Sequence, residues 1–491
     1  MFEAARERIN TLLFTFPAAL ARLGLLDREK GEEAFDLAVP AMVTGGLRTI
    51  LRTADFFMVS LALGSSAVAA LEFGFQYYFI PFGLALALTS GTISVVSRFK
   101  GEGAHDRADF AVKQSLYLSI ALSIPITAFT WLYADPLIEL LTDNPTTVRQ
   151  GATYLRIVML SVVFRFWSMT AARALAGAGD TRTPMYVRLV TLPTNIILNA
   201  VLIFGVGPIP SLGIAGAAWG TAIANTLAGT VFFWLFVTGR RDVQLHLGGR
   251  QWDREIVGEI VRVGTPLAGT RLTRTAGRFP FLFVLSALGT EVVAAYAIAR
   301  RVMLLALMPA WGYSTASSTL VGQSIGAGRD EEATDYGWQT LRIALVTQLL
   351  IGGAIFVAAT PIARAFGTDT VGLTVAFIRL FGIGVAAFSV SRTMRGGLRG
   401  AGDTSWPFYG GIIGTYLIRL PLAFLALPVG FAIVVGPYSV SPGVGWGLYA
   451  IYAAILGDMY ARAIINLVRF ASGKWQQIAR ESAAGTGSTG D

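Results

Sequence analysis

Runs of about 20 apolar residues follow one another down nearly the whole of this chain, and that leaves few folds open to it. A hydrocarbon core about 30 Å thick takes a helix of roughly that length. Only 14% of the residues are charged and the mean hydropathy is +0.59, whereas soluble domains carry roughly 25% charge. No polar linker divides the 491 residues as separate soluble domains would require. The expected class is an all-α integral membrane protein.

Composition removes several kinds of chemistry. The chain has no cysteine, so disulfides, thiolate catalysis and cysteine-held metals are excluded. His105 and His246 both lie in polar segments, and no metal or cofactor site is expected. A formal charge of +9 would suggest nucleic acid in a soluble protein. Here basic residues at one membrane face account for it, and membrane lipid is the expected partner. No signal-peptide pattern opens the chain.

Twelve spans are predicted, near 36–62, 68–96, 111–134, 150–176, 185–206 and 213–238, then 257–286, 292–321, 336–360, 372–399, 408–434 and 445–470. They imply an interfacial amphipathic segment over 1–34, a six-helix lobe over 35–240 and a linker over 241–256. A second six-helix lobe over 257–470 and a largely disordered tail over 471–491 complete the chain.

The two halves are related in sequence. Gly177-Ala178-Gly179-Asp180-Thr181-Arg182-Thr183-Pro184 is echoed 223 residues later by Gly400-Ala401-Gly402-Asp403-Thr404-Ser405-Trp406-Pro407. Leu63-Gly64 corresponds to Leu288-Gly289, Gly101 and Gly103 to Gly326 and Gly328, and Pro40 to Pro266. Such order and spacing point to a duplicated membrane module. An even number of spans per copy relates the lobes by a pseudo-two-fold axis along the membrane normal. Loops 97–110 and 239–256 and the C-terminal end are rich in Arg and Lys, while the opposite loops carry Arg364 alone, so both termini are expected in the cytoplasm. A monomer is expected.

Polar residues inside the spans mark the candidate sites. Asp55 lies deep in the first span; a lone carboxylate there costs about 2.5–3.5 kcal/mol on insertion scales, so it should meet water, a cation or a partner. Arg52 sits one turn away, which leaves a structural ion pair and an ion-exchanging carboxylate both open. Gln76, in the second span, lines a cavity or reaches the headgroups. Asn195 and Asn199 share a face of the fifth span, as interhelical glue or as ligand contacts. Arg165 in the fourth span is too deep to reach the surface comfortably. Arg271, Arg274 and Arg278 in the seventh form a stripe on one helical face. Surplus positive charge of this kind favours anionic groups. The glycines at 177, 179, 400 and 402, Asp180, Asp403, Pro184 and Pro407 read as tight cytoplasmic turns. No nucleotide-binding motif is present, so an ion gradient is the expected energy source.

These motifs, in this order, resemble the multidrug and toxic compound extrusion (MATE) transporters over roughly residues 35–470. Val96-Ser97-Arg98-Phe99-Lys100-Gly101-Glu102-Gly103 and Leu212-Gly213-Ile214-Ala215-Gly216-Ala217-Ala218 add to the likeness. The resemblance implies a secondary active exporter, exchanging an organic solute for H+ or Na+ by alternating access. No enzymatic activity is expected of it. Within the family the chain looks nearer the archaeal and DinF-like branch, whose coupling site holds a first-helix carboxylate, matched by Asp55. That site also has an Asn and an Asp four residues apart in the fifth helix, and these fall at Asn195 and Asn199. The second acid is therefore replaced by an amide. Acids that the NorM-like branch carries in helices seven and ten are also missing, and arginines stand in the seventh. An amphiphilic solute with an anionic group fits this charge pattern. A flippase for lipids or lipid-linked glycans and a non-transporting sensor or scaffold are the alternatives.

Overall fold

The computed structural model describes residues 15–140, 144–366, 370–435 and 438–487. It describes side chains there except at 48–57, 60, 63–69, 72, 75–76, 79–82, 271–275, 279, 290, 433–435, 438 and 481–487. Asp55, Arg52, Gln76, Arg271 and Arg274 thus lie in described helices, with side chains outside the described set.

Helix follows helix. In order these are α1 (Arg28–Gly101), α2 (His105–Leu132), α3 (Ala134–Glu139), α4 (Pro145–Leu160), α5 (Val162–Gly177), α6 (Arg182–Phe204) and α7 (Ile214–Val237). The second half runs α8 (Arg254–Ala276), α9 (Arg278–Ala287), α10 (Thr290–Ala306), α11 (Met308–Gly326), α12 (Asp330–Val357), α13 (Ala359–Ala365) and α14 (Val371–Gly400). It then continues through α15 (Ser405–Ile412), a π-helical segment (Ile413–Arg419), α16 (Leu420–Phe424), α17 (Gly447–Ala471) and α18 (Lys474–Gly487). A short antiparallel ribbon, β1 (Ile433–Val435) with β2 (Tyr438–Val440), pairs Val434 with Ser439. Among the described residues six helices are each long and apolar enough to cross a membrane. The pairs α4–α5 and α10–α11 also qualify when joined across bends of 49° and 43°.

Several span edges are corrected. Residues 63–67, read as the first loop, are helical, and α1 is one unbroken run of 74 residues. One glycine and two serines weaken a helix without ending it. The fourth span bends at Ser161, whose Oγ donates to the Val158 carbonyl, a back-bond that deforms helices. The eighth bends at Leu307, just ahead of Pro309, and the seventh is interrupted at Gly277. The eleventh ends at Phe424 rather than 434, because Pro428 and Gly430 follow and the ribbon takes over. Nor is the tail largely disordered. α18 continues the chain, anchored by the fully buried Trp475, which stacks on Phe470 with ring centres 4.9 Å apart and donates to the Phe470 carbonyl. Residues 488–491 and 1–14 lie outside the described set.

Contacts divide the chain into two compact units. One comprises Pro40–Thr265 and Gly322–Gly328; the other Met1–Val39, Pro266–Val321 and Arg329–Asp491. The boundaries fall on the two repeated prolines, and the repeat extends to hydrogen bonds. Asp27-Arg28-Glu29 recurs as Asp253-Arg254-Glu255, 226 residues later. Asp27 Oδ1 accepts from the Lys30 N–H and Asp253 Oδ1 from the Ile256 N–H, so each caps the helix it precedes. The Asp27 N–H donates to Gln339 Oε1 on α12, and the Asp253 N–H to Gln114 Oε1 on α2. Thr44 Oγ1 donates to the Pro40 carbonyl and Thr270 Oγ1 to that of Pro266. The start of each repeat's first helix is thereby grouped with the other repeat's third helix.

The ends of α1 and α11, both in the first unit, meet reciprocally. A Cβ on Gly101 would overlap the Gln323 carbonyl oxygen, and one on Gly326 the Arg98 carbonyl oxygen. Nearby, the buried Arg98 pairs with the buried Glu259 of α8. Burial pushes the carboxyl of Glu102 upward, against the pull of Arg107 and Arg98.

Candidate functional site

In the first unit α7 gathers the polar groups. Its Gly216 packs against the Leu202 backbone of α6, and Gly220 leaves the space that the Asn199 side chain occupies. Small residues four apart let two membrane helices approach this closely. Asn199 Nδ2 donates to Asn195 Oδ1 at 3.2 Å, and Asn195 Nδ2 to Thr221 Oγ1 at 3.5 Å. One turn along α7, Asn225 Nδ2 donates to Ser161 Oγ at 3.1 Å and to the Tyr78 hydroxyl at 3.3 Å. Asn225 Oδ1 accepts from Arg165 Nη1 at 3.4 Å, and the Arg165 guanidinium stands 5.6 Å from the Tyr78 ring centre. Arg188 of α6 lies within Coulombic range of Arg165 and Tyr78.

Asn195, Asn199 and Asn225 are all buried. Amides supply donors and acceptors without charge, so the line of polar atoms carries no carboxylate beside its arginines among the described side chains. Thr221 and Asn225 were not singled out in the sequence, although their spacing of four on a span flanked by glycines was the available signal.

Of the other predicted residues, Arg278 is exposed and begins α9. The helix break at Gly277 separates it from Arg271 and Arg274, so the one-face stripe drawn from helical spacing runs across an interruption. Pro280 shortly follows, and glycine and proline together explain why the helix stops.

The two glycine–aspartate turns superpose in their bonding. The Asp180 N–H donates to the Leu175 carbonyl and the Asp403 N–H to that of Leu398, each at 2.8 Å. These are the helix-closing bonds of a Schellman cap, and Gly179 (φ +97°) and Gly402 (φ +87°) supply the left-handed residue it needs. Gly177 and Gly400 end α5 and α14, while Pro184 and Pro407 stand early in α6 and α15. Asp180 Oδ1 caps α6 through the Thr183 N–H at 2.8 Å. Asp403 is 1% exposed, and its Oδ2 accepts from Arg469 Nε at 2.6 Å. Burial pushes its carboxyl above the usual range, against the opposing pull of Arg469 and the Trp406 N–H.

The profile of the MatE family matches residues 40–201 and 266–425, together more than half of the chain and each beginning at a repeated proline. The chain belongs to the MatE family. A similar protein is the probable multidrug resistance protein NorM of Thermotoga maritima, 29% identical over 91% of this chain and 94% of its own. Another is the FAD transporter of Shewanella oneidensis, 26% identical over 71% and 77%. Among solved structures, a MOP superfamily transporter from Pyrococcus furiosus, described as having reverse polarity in its binding pocket, aligns with a TM-score of 0.78. It is 21% identical and covered over 92% of this chain and 96% of its own. The MatE fold is all-α and multi-pass, with about twelve transmembrane helices in two lobes. Its work is secondary active, ion-coupled transport of small or amphiphilic organic solutes, and it is not an enzyme. The expected nearness to the archaeal and DinF-like branch is corrected: several matched relatives bear the NorM name, and the MatE family is the level at which the matches agree.

Proposed function

We propose that the chain exports an amphiphilic solute carrying an anionic group from the cytoplasm, as a monomer with both termini inside. Export is coupled to H+ or Na+ through Asp55, Asn195 and Asn199. The observation that carries the anionic part is the run Asn199–Asn195–Thr221–Asn225–Arg165, in which three buried amides lead to a half-buried guanidinium. A guanidinium so placed offers a planar fork of donors to a carboxylate or phosphate. A relative that carries FAD, a dinucleotide with two phosphates, is consistent with it, as is a fold relative of reverse pocket polarity. The match of Asp55 and Asn195 to the coupling pattern of the resembled branch supports coupling from the N-terminal half. The arginine-rich loops 97–110 and 239–256 support the orientation. Arg52, Gln76, Arg271, Arg274 and Arg278 remain assigned to the solute path.

Arg165 gives the test. In proteoliposomes, R165Q should lower transport of organic anions by about tenfold, the worth of one charge-assisted contact of roughly 1.4 kcal/mol, with organic cations unaffected. Equal loss for both, together with a lowered melting temperature, would make Arg165 a folding residue and remove the anionic reading.

A further inference from the structure

The second unit contains a charged cluster that no sequence landmark marks. Asp458 of α17 is buried and faces the π-helical segment Ile413–Arg419. Single π turns inside α-helices occur frequently at functional sites. Gly414 makes the approach possible, because a Cβ there would overlap Asp458 Oδ1. Arg462, one turn along α17, donates through Nε to that oxygen and through Nη2 to Thr415 Oγ1 at 2.7 Å.

Arg419 closes the cluster from the π segment. Its Nη1 stands 3.8 Å from Asp458 Oδ2, and its Nη2 donates to the Tyr296 hydroxyl at 3.1 Å. Its guanidinium lies 3.8 Å from the ring centre of the fully buried Phe281. Its Nε is buried and has no acceptor among the described residues. Arg300 of α10 is within Coulombic range of both Arg419 and Arg278. Two guanidiniums, Arg419 and Arg462, thus share the carboxylate of Asp458, and Arg300 stands in Coulombic range of one of them. Each charge is costly at membrane depth, and one carboxylate cannot neutralise both Arg419 and Arg462.

We propose that this cluster is an anion-recognition site of the second unit. It takes the phosphate, sulfate or carboxylate of an aromatic amphiphile, with Asp458 as the built-in competitor for Arg419. The spare Nε and the planar fork of Arg419 present parallel donors to an oxyanion, and Phe281 and Tyr296 supply an aromatic wall. When the site is empty, Asp458 holds Arg419 and Arg462 in place. An incoming oxyanion displaces the carboxylate, so the arginines never lack a partner. The site rests on the anionic-solute reading and adds to it a second locus and an aromatic requirement.

FAD and ethidium, two aromatic probes of opposite charge, test it on the full chain in detergent. The wild type should bind FAD saturably. R419Q should weaken FAD by about tenfold, R419K by less, and neither should change ethidium. D458N, which removes the competing charge, should tighten FAD severalfold. R300Q, whose side chain makes no hydrogen bond to the described residues of the cluster, should weaken FAD two- to threefold, about the scale of a screened charge; it decides the matter if R419Q does not fold. No saturable FAD binding, equal loss of both probes in R419Q, weaker FAD binding in D458N, or unchanged binding in R300Q would overturn the site. Transport of other organic anions by the wild type, unchanged in R419Q, would sink this site alone. Failure of the wild type to move any organic anion would sink the anionic-solute reading itself.

Discussion

Asp403 shows how one buried carboxylate can serve architecture at a cost that depends on pH. Arg469 and the Trp406 N–H favour its ionised form, and burial outweighs them, so its carboxyl titrates above the ordinary carboxylate range. The folded state therefore prefers the protonated form. That stabilisation is fully present below the unfolded value and is lost as pH rises through the folded one. Thermal melts of the wild type should decline over this acidic window, and D403N, which cannot ionise, should lose that share of the slope. A D403N melt with the wild-type slope would contradict the assignment. The sequence foretold the turn, since Gly, Ala, Gly and Asp at those positions have few other uses at a helix end. It could not foretell Arg469, which arrives from a helix 66 residues away. Asp458 was missed for a related reason. It sits in a span among apolar residues, and only the π turn, invisible to hydrophobic periodicity, shows what it faces.

Among helices, the first turns of α1 and α8 behave as matched elements. Asp27 and Asp253 each cap their own helix and each give their N–H to a glutamine on another repeat's third helix. D27A and D253A should each cost about 1 kcal/mol, the usual worth of an N-cap. Hydrogen exchange should quicken over residues 28–39 in the first variant and over 254–265 in the second. Faster exchange at both segments in either variant would show that the two are not independent caps. Most helices were legible because runs of apolar residues bounded by Pro, Gly and charge define them. Span edges went astray where breaks depend on a serine back-bond at Ser161 or on Gly277, each too small to disturb the hydropathy. The Asp-Arg-Glu repeat at 27–29 and 253–255 was readable but lay outside the spans, where polar residues usually carry less meaning.

For the molecule as a whole, the duplication is the organising fact. The two units divide at Pro40 and Pro266, and the MatE profile matches twice from those same residues. Each unit then carries its own arginine-bearing polar cluster against the last helix of its repeat, Asn225 with Arg165 in one and Asp458 with Arg419 and Arg462 in the other. The arginines reach that last helix from different places, from α5 in one unit and from the π segment and α17 itself in the other. Gly101 and Gly326 preserve their reciprocal contact, and G101A or G326A should each destabilise the protein by about 1–3 kcal/mol, because the obstacle is backbone. Detergent melts would show the loss, and an unchanged melting temperature would mean the helix ends can separate freely.

The most direct measurement is solute movement in proteoliposomes carrying an imposed proton or sodium gradient. FAD or another organic anion should move against its own concentration gradient while the ion gradient lasts, and stop when an ionophore collapses it. Anion movement indifferent to both gradients, or gradient-coupled movement of organic cations alone, would contradict the account.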